Sequence, residues 1–198
     1  MKKIAITGNI ASGKSQVEKE LILLGYKVID TDKINHEILE KDEKTIQEIK
    51  NSFISCDILN DEERLSREKL GKIIFSDSEK KKILENILHE KIYEKLEIFY
   101  ENNKNEKLVF VSIPLLFEAK QENKFDKIVF VSAEEEIRLK RLIERNKYNI
   151  DYAKTRIAAQ EKEETKIAKS DFIIHNNSDL TNLRMQIEQV LQQLILSC

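Results

Sequence analysis

The sequence predicts an α/β chain in which a parallel sheet is flanked by helices. Three observations carry this. Five short apolar runs, at residues 4–7, 28–29, 108–111, 127–131 and 172–174, lack the alternation of a half-exposed strand and read as strands buried on both faces. Helical patterns separate them, as crossovers in a parallel sheet require. The 198 residues contain one Pro and four Gly, too few breakers for two flexibly linked bodies, so one compact domain spanning 1–198 is expected.

Ile4-Ala5-Ile6-Thr7 stops at Gly8 and forms the first strand. Val17, Leu21 and Leu24 recur at helical spacing, and Gly25 supplies a stop. Val28-Ile29 opens the second strand, which ends at Asp30-Thr31-Asp32. From Lys33 to about Asn103 the chain reads as almost entirely helical, with Leu84, Leu88, Ile92, Leu96 and Phe99 on one face. Residues from about 56 to 103 hold no strand and are too long for a simple crossover; they predict a helical insertion suited to a substrate site. Asn102-Asn103-Lys104-Asn105 is a turn, and Pro114 closes the third strand. A charged helix from Glu134 to about Asn146 follows the fourth strand, with more helix to Lys169 before the fifth. The last helix carries Leu180, Leu183, Ile187, Val190, Leu191 and Leu194, a stripe that packs on the sheet or forms an oligomer face.

Composition excludes several classes. Apolar residues make up 40%, enough for a core, and 34 basic against 36 acidic residues leave a net charge of −2, which excludes a basic protein that coats nucleic acid. Cys56 and Cys198 are too few for a disulfide framework or a C-x-x-C site, and both read as inert thiols. No apolar run is long enough for a membrane span, and the N-terminal run is too short for a signal peptide. A soluble, cytoplasmic protein with no membrane partner is the expectation. His36, His89 and His175 lack metal-ligand spacing and read as structural or solvent-facing.

Chemistry enters at Gly8-Asn9-Ile10-Ala11-Ser12-Gly13-Lys14-Ser15, which fits G-x-x-x-x-G-K-[ST]. The glycines let successive N–H groups turn inward on phosphate oxygens, Lys14 brings a point charge to the β- and γ-phosphates, and Ser15 offers a hydroxyl to Mg²⁺. The strand before and the helix after are the context this P-loop requires. Asn123-Lys124-Phe125-Asp126 spells N-K-x-D, but it precedes a strand instead of following one, and no D-x-x-G accompanies it, so a GTPase switch is disfavoured.

Asp30 and Asp32 lie just past the second strand, at the edge where doubly wound sheets bind ligands. A carboxylate there can accept the proton of an attacking hydroxyl or hold a metal's water; Asp32 also suits a helix N-cap. Arg138, Lys140, Arg141, Arg145 and Lys147 share one helical stretch, and Arg141 and Arg145 share a face. They either clamp transferring phosphates or form a solvated face paired with Glu134, Glu135, Glu136 and Glu144.

These motifs together resemble those of the dephospho-CoA kinases. The P-loop opening is similar, as are Val28-Ile29-Asp30-Thr31-Asp32, Leu88-His89, Pro114-Leu115-Leu116-Phe117-Glu118, Arg141 to Arg145, Arg156-Ile157-Ala158-Ala159-Gln160 and Ile174-His175-Asn176-Asn177. Glu90, Asn146 and His175 depart from the family's proline and two acids. The resemblance implies transfer of the γ-phosphate of ATP, with Mg²⁺, to the 3′-hydroxyl of dephospho-CoA, the last step of coenzyme A synthesis. It implies a nucleotide core, a substrate-binding helical insertion and a helical lid at about 137–165. By position Asp32 is the general base, Lys14 and Arg141 stabilise charge in transfer, and Ser15 holds the metal. Gly8, Ala11, Ser12, Gly13, Lys14, Ser15 and Gln16 bind ATP, with Arg145 on the lid and Asn176 near the adenine. A nucleoside monophosphate kinase and a nucleotide-dependent switch are the alternatives, and the oligomeric state stays open.

Overall fold

The computed structural model describes residues 1–196; Cys198 lies outside the described residues. All five apolar runs form strands: β1 (Lys2–Gly8), β2 (Lys27–Asp30), β3 (Leu108–Ser112), β4 (Lys127–Ser132) and β5 (Phe172–His175). They make one parallel sheet in the order β2-β3-β1-β4-β5. Ile4 of β1 pairs with Phe110 on one side and Lys127 on the other. The chain leaves β1 toward β2 and β3 and returns to its opposite side as β4. The order therefore reverses at β1, where such sheets seat ligands beyond the strands' carboxyl ends.

Helices α1 (Lys14–Leu23) and α9 (Leu180–Leu196) bury their apolar stripes in the main core. Val17, Leu21, Leu183, Ile187, Leu191 and Leu194 pack there with Ile4, Ile6, Phe110, Val129 and Ile174. Burying each such side chain contributes about 1.5–3 kcal/mol. The terminal stripe thus packs in the fold, although Leu180 at its start is 40% exposed. Leu24, expected on the buried face of α1, is also exposed, because the helix ends at Leu23 and Gly25 turns the chain away at φ +88°.

Three further helices follow β4: α6 (Glu135–Asn146), α7 (Ile150–Ala158) and α8 (Glu163–Ala168). Leu142, Ala153 and Ile157 form a second small core that takes in Ile10 and Ala11, two residues of the P-loop motif. Within the N-K-x-D tetrapeptide, Asp126 has a structural role. Asp126 Oδ2 accepts the Lys3 N–H at 2.7 Å, and the Asp126 N–H returns a bond to Lys3 O at 2.9 Å, which pins the start of β4 to β1.

Contacts divide the chain into two compact units, Met1–Asp30 with Asn103–Cys198, and Thr31–Asn102. The second unit holds α2 (Thr31–Lys41), α3 (Glu43–Ser52), α4 (Arg67–Ser76) and α5 (Ser78–Asn102). Asp42 caps α3 by accepting Thr45 N–H at 3.1 Å, and Ser66 caps α4 by accepting Lys69 N–H at 3.3 Å. Leu84, Leu88 and Leu96 of α5 are buried as their spacing predicts, together with Ile87 and Tyr100; Ile92 and Phe99 are half-buried. Residues 53–66 depart from the all-helical expectation. They form turns around a single antiparallel bridge, Leu59 to Leu65, where Asn60 Oδ1 accepts the N–H groups of Glu62 and Arg64 at 3.1 and 2.9 Å. Among the described residues no helix is long and apolar enough to cross a membrane.

Candidate phosphate-transfer site

Between β1 and α1 the chain turns tightly, with Ser12 N–H donating to Asn9 O at 3.0 Å. Gly13 then sits at φ +97°, in the left-handed region, and its carbonyl accepts the Gln16 and Val17 N–H groups at 2.8 and 3.3 Å. The amides of Lys14 and Ser15 precede the first intrahelical bond, so they and the positive end of α1 make a seat for an anion. Two glycines are demanded by close approach. A Cβ on Gly13 would lie 1.9 Å from Asn176 Nδ2, and one on Gly8 would lie 2.5 Å from Val131 O. Ala11 is also left-handed at φ 60°, a strain of about 1–2 kcal/mol, offset by its packing beneath Leu142 and Ile157.

Lys14 is held from two sides. Its ammonium donates to Glu18 Oε1 at 2.9 Å and to Ser112 Oγ, and the Ser112 hydroxyl donates to Glu18 Oε1 at 2.6 Å. The Glu18 side chain is 3% exposed and that of Lys14 13%. An ammonium has three donors, so one remains for a phosphate oxygen.

Arg141 of α6 reaches across to the same loop. Its NH1 donates to Ala11 O at 3.3 Å and Ser12 O at 3.2 Å, and its NH2 donates to Asn176 O at 3.0 Å. Burial pushes its pKa down from the ordinary guanidinium value, yet a guanidinium stays charged. Asn176, buried just past β5, donates from Nδ2 to Ser12 O at 2.8 Å. The structure therefore joins Gly8, Ala11, Ser12, Gly13, Lys14, Arg141 and Asn176 in one cluster. Arg145 is not part of it: exposed on the last turn of α6, its Nε donates to Asn146 Oδ1 at 2.8 Å. The Gln16 side chain donates to Glu20 Oε1 at 2.8 Å.

Several supports escape the motif reading. Lys166 of α8 is 1% exposed and donates to Asn9 Oδ1 at 3.0 Å and Glu118 Oε1 at 2.6 Å. Asn9 Nδ2 donates to Glu163 Oε2 at 3.2 Å, and Ser132 Oγ donates to Glu163 Oε1. Gln160 Oε1 accepts the Ile10 N–H at 2.7 Å. Glu118 and Gln160 fall in quoted family-like motifs; Lys166 and Glu163 sit in a charged run that reads as a solvated helix.

The donor set bears on which ligands fit. Ser12 Oγ is buried with no hydrogen-bond partner, an acceptor-seeking hydroxyl inside an anion seat. Ser15 is exposed on the first turn of α1. Among the described residues no cluster of three or more His, Cys, Asp or Glu side chains is arranged to cage a metal.

Asp32 belongs to the helical unit. It is the second residue of α2 and not the N-cap expected for it, because the helix already begins at Thr31. The carboxylate sits where the helix dipole favours a negative charge. Asp32, Asn35, His36, Glu40 and Arg67 line an open cleft of about 700 Å³ in that unit. Arg67 NH1 bonds His36 Nδ1, and Asn35 Oδ1 is buried without a partner.

Comparison with known proteins decides the family. The family model for dephospho-CoA kinase matches residues 2–182. The chain belongs to the dephospho-CoA kinase family. It is 40% identical over 196 residues to a dephospho-CoA kinase of Helicobacter pylori, covering 97% of each chain, and 39% identical over 189 residues to one of Fusobacterium nucleatum, covering 94% and 95%. Among solved structures, TT1252 from Thermus thermophilus superposes with a TM-score of 0.83 at 33% identity, covering 98% and 97% of the two chains. The dephospho-CoA kinase from Campylobacter jejuni gives 0.70 at 36%, covering 97% and 96%. A shikimate kinase from Bacteroides thetaiotaomicron, 16% identical with a TM-score of 0.51, shares the fold alone.

Proposed function

We propose that this chain transfers the γ-phosphoryl group of ATP to the 3′-hydroxyl of dephospho-CoA, giving coenzyme A and ADP. The observation that carries the reading is the loop built on Gly8, Gly13 and Lys14, in a chain whose match to dephospho-CoA kinases runs nearly end to end.

Phosphoryl transfer needs positioning and charge stabilisation more than covalent help, because its transition state is loose. The first-turn amides of α1 and the third donor of Lys14 bind the terminal phosphates. Arg141 commits two bonds to P-loop carbonyls and a third to Asn176 O, so its first task is to keep the loop amides aimed inward. The remaining Arg141 donors and Arg145 supply charge from the segment at about 137–165, which acts as the lid. Asn176 lies on the adenine side in this reading, as the family resemblance implies.

Mg²⁺ bound with the nucleotide would be held by the Ser15 hydroxyl and would neutralise charge on the β- and γ-oxygens. The acceptor binds through the helical insertion, about 56–103, and the adjoining α2. Asp32 accepts the 3′-hydroxyl proton as the O3′–Pγ bond forms and the bond from Pγ to the β-phosphate oxygen breaks; the proton then passes to solvent. An alcohol acceptor calls for such a base, whereas a nucleoside monophosphate presents an oxygen that is already ionised.

An ATP-consumption assay tests the assignment, with dephospho-CoA, its 3′-deoxy analogue and nucleoside monophosphates as acceptors. ADP should form with dephospho-CoA alone. Turnover with the 3′-deoxy analogue, or preference for a monophosphate, would reject the acceptor while sparing the fold.

A further inference from the structure

In P-loop NTPases the loop Ser or Thr shares the divalent cation with an acid on a nearby strand. The strand beside β1 here is β3, and its last residue, Ser112, pairs with Ile6 of β1 and Asp30 of β2 at the carboxyl edge of the sheet. Ser112 carries no charge. The charge comes from α1 instead: Glu18 Oε1 lies 2.6 Å from Ser112 Oγ and 2.9 Å from Lys14 Nζ, with its side chain 3% exposed.

A carboxylate buried this deeply needs a positive partner. Lys14 is one such partner, and its third donor is also the group that must reach the terminal phosphates. With the Lys14 charge shared between Glu18 and the phosphates, further positive charge beside the carboxylate is favourable. The hydrated cation that accompanies ATP can supply it through a bound water.

We propose that Glu18, with Ser112, is the positioning acid for the divalent cation delivered with ATP, supplied by helix α1 to the place where the strand itself lacks one. This rests on the ATP-dependent reading above. It makes two specific demands. The carboxylate must matter for how strongly a metal tightens nucleotide binding, and it must be able to move to position 112 without loss.

The test is calorimetric titration of ADP with and without Mg²⁺, beside steady-state turnover with ATP and dephospho-CoA, for wild type, E18Q and E18Q/S112D. Removing a group that orients a metal's shell costs about 10–100-fold. In E18Q the tightening of ADP by Mg²⁺ should shrink by about tenfold or more, and kcat should fall by about 10–100-fold. Metal-free ADP binding should not weaken, because a negative charge near the phosphates has been removed. E18Q/S112D returns a carboxylate to within one hydrogen bond of its original place and should restore both the metal effect and kcat.

The proposal is overturned if E18Q keeps the wild-type metal effect. It is equally overturned if E18Q/S112D, folded with the wild-type circular dichroism spectrum, recovers neither readout. Failure of the acceptor assignment is distinguishable, because it would abolish wild-type turnover with dephospho-CoA while leaving the Mg²⁺ effect on ADP binding in place.

Discussion

Lys166→Met tests whether the P-loop is braced by a buried charge. The substitution keeps most of the volume of a side chain that is 1% exposed and removes two bonds, to Glu118 Oε1 at 2.6 Å and Asn9 Oδ1 at 3.0 Å. Removing one member of a fully buried pair costs about 3–5 kcal/mol, chiefly because the other charge is left behind. The Glu118 side chain is 30% exposed, so water relieves part of that penalty, and the orphaned Asn9 oxygen adds some back. The net expectation is about 2–3 kcal/mol, or roughly 5–10 °C in Tm for a chain of this size. Thermal unfolding by circular dichroism measures it. In Lys166→Met/Glu118→Leu both charges are gone, and most of the lost stability should return. Melting of the single variant within about 2 °C of wild type, or a double variant no more stable than the single, would show that Lys166 does not brace the loop.

Three other outcomes follow from the same geometry. Gly13→Ala forces a Cβ to 1.9 Å from Asn176 Nδ2 at φ +97°, so Asn176 must leave Ser12 O; ATP binding measured by calorimetry should weaken by about tenfold or more, and unchanged affinity would contradict the tight approach. Asp32→Asn should lower kcat by about 10²–10⁴-fold while the Kd for ATP stays within about threefold, and wild-type turnover would remove Asp32 from the mechanism. For pH, the Arg184 guanidinium beside Glu20 holds its carboxyl below the usual range, and backbone N–H groups of Thr45 and Lys80 do the same for Asp42 and Asp77. Depressed folded-state values stabilise the fold above the ordinary carboxylate range, and that contribution is lost as pH falls through the folded values. Tm should therefore drop on acidification below about pH 4, and E20Q should flatten the drop; an unchanged slope would exclude Glu20 as a contributor.

How much of this was legible in the sequence depends on where each signal lives. The strands were readable because a doubly covered parallel sheet demands uninterrupted apolar runs, and Ile4-Ala5-Ile6 or Val109-Phe110-Val111 admits little else. The P-loop was readable because its glycines answer to local backbone geometry. Lys166 was not, since Glu161-Lys162-Glu163-Glu164-Thr165-Lys166 has the look of a solvated helix and only the packing of α8 near β4 removes it from water. Glu18 and Glu20 were hidden for a similar reason. Both are acids on a short helix, and their burial is set by partners 94 and 164 residues away, Ser112 and Arg184. The turns at residues 53–66 were missed because they contain neither Gly nor Pro; Asn60 does their work through its side chain. Arg141 and Arg145 share a helical face by spacing, but only Arg141 has loop carbonyls within reach.

In the proposed reaction a sugar hydroxyl receives the phosphoryl group gripped by the Gly8–Lys14 loop. Phosphorus NMR of the product made from ATP and dephospho-CoA addresses it most directly. One new phosphomonoester resonance is expected, coupled to the ribose 3′-proton and appearing in step with ADP. A new phosphate at any other position, or ADP formed without a new ester, would contradict the proposed reaction.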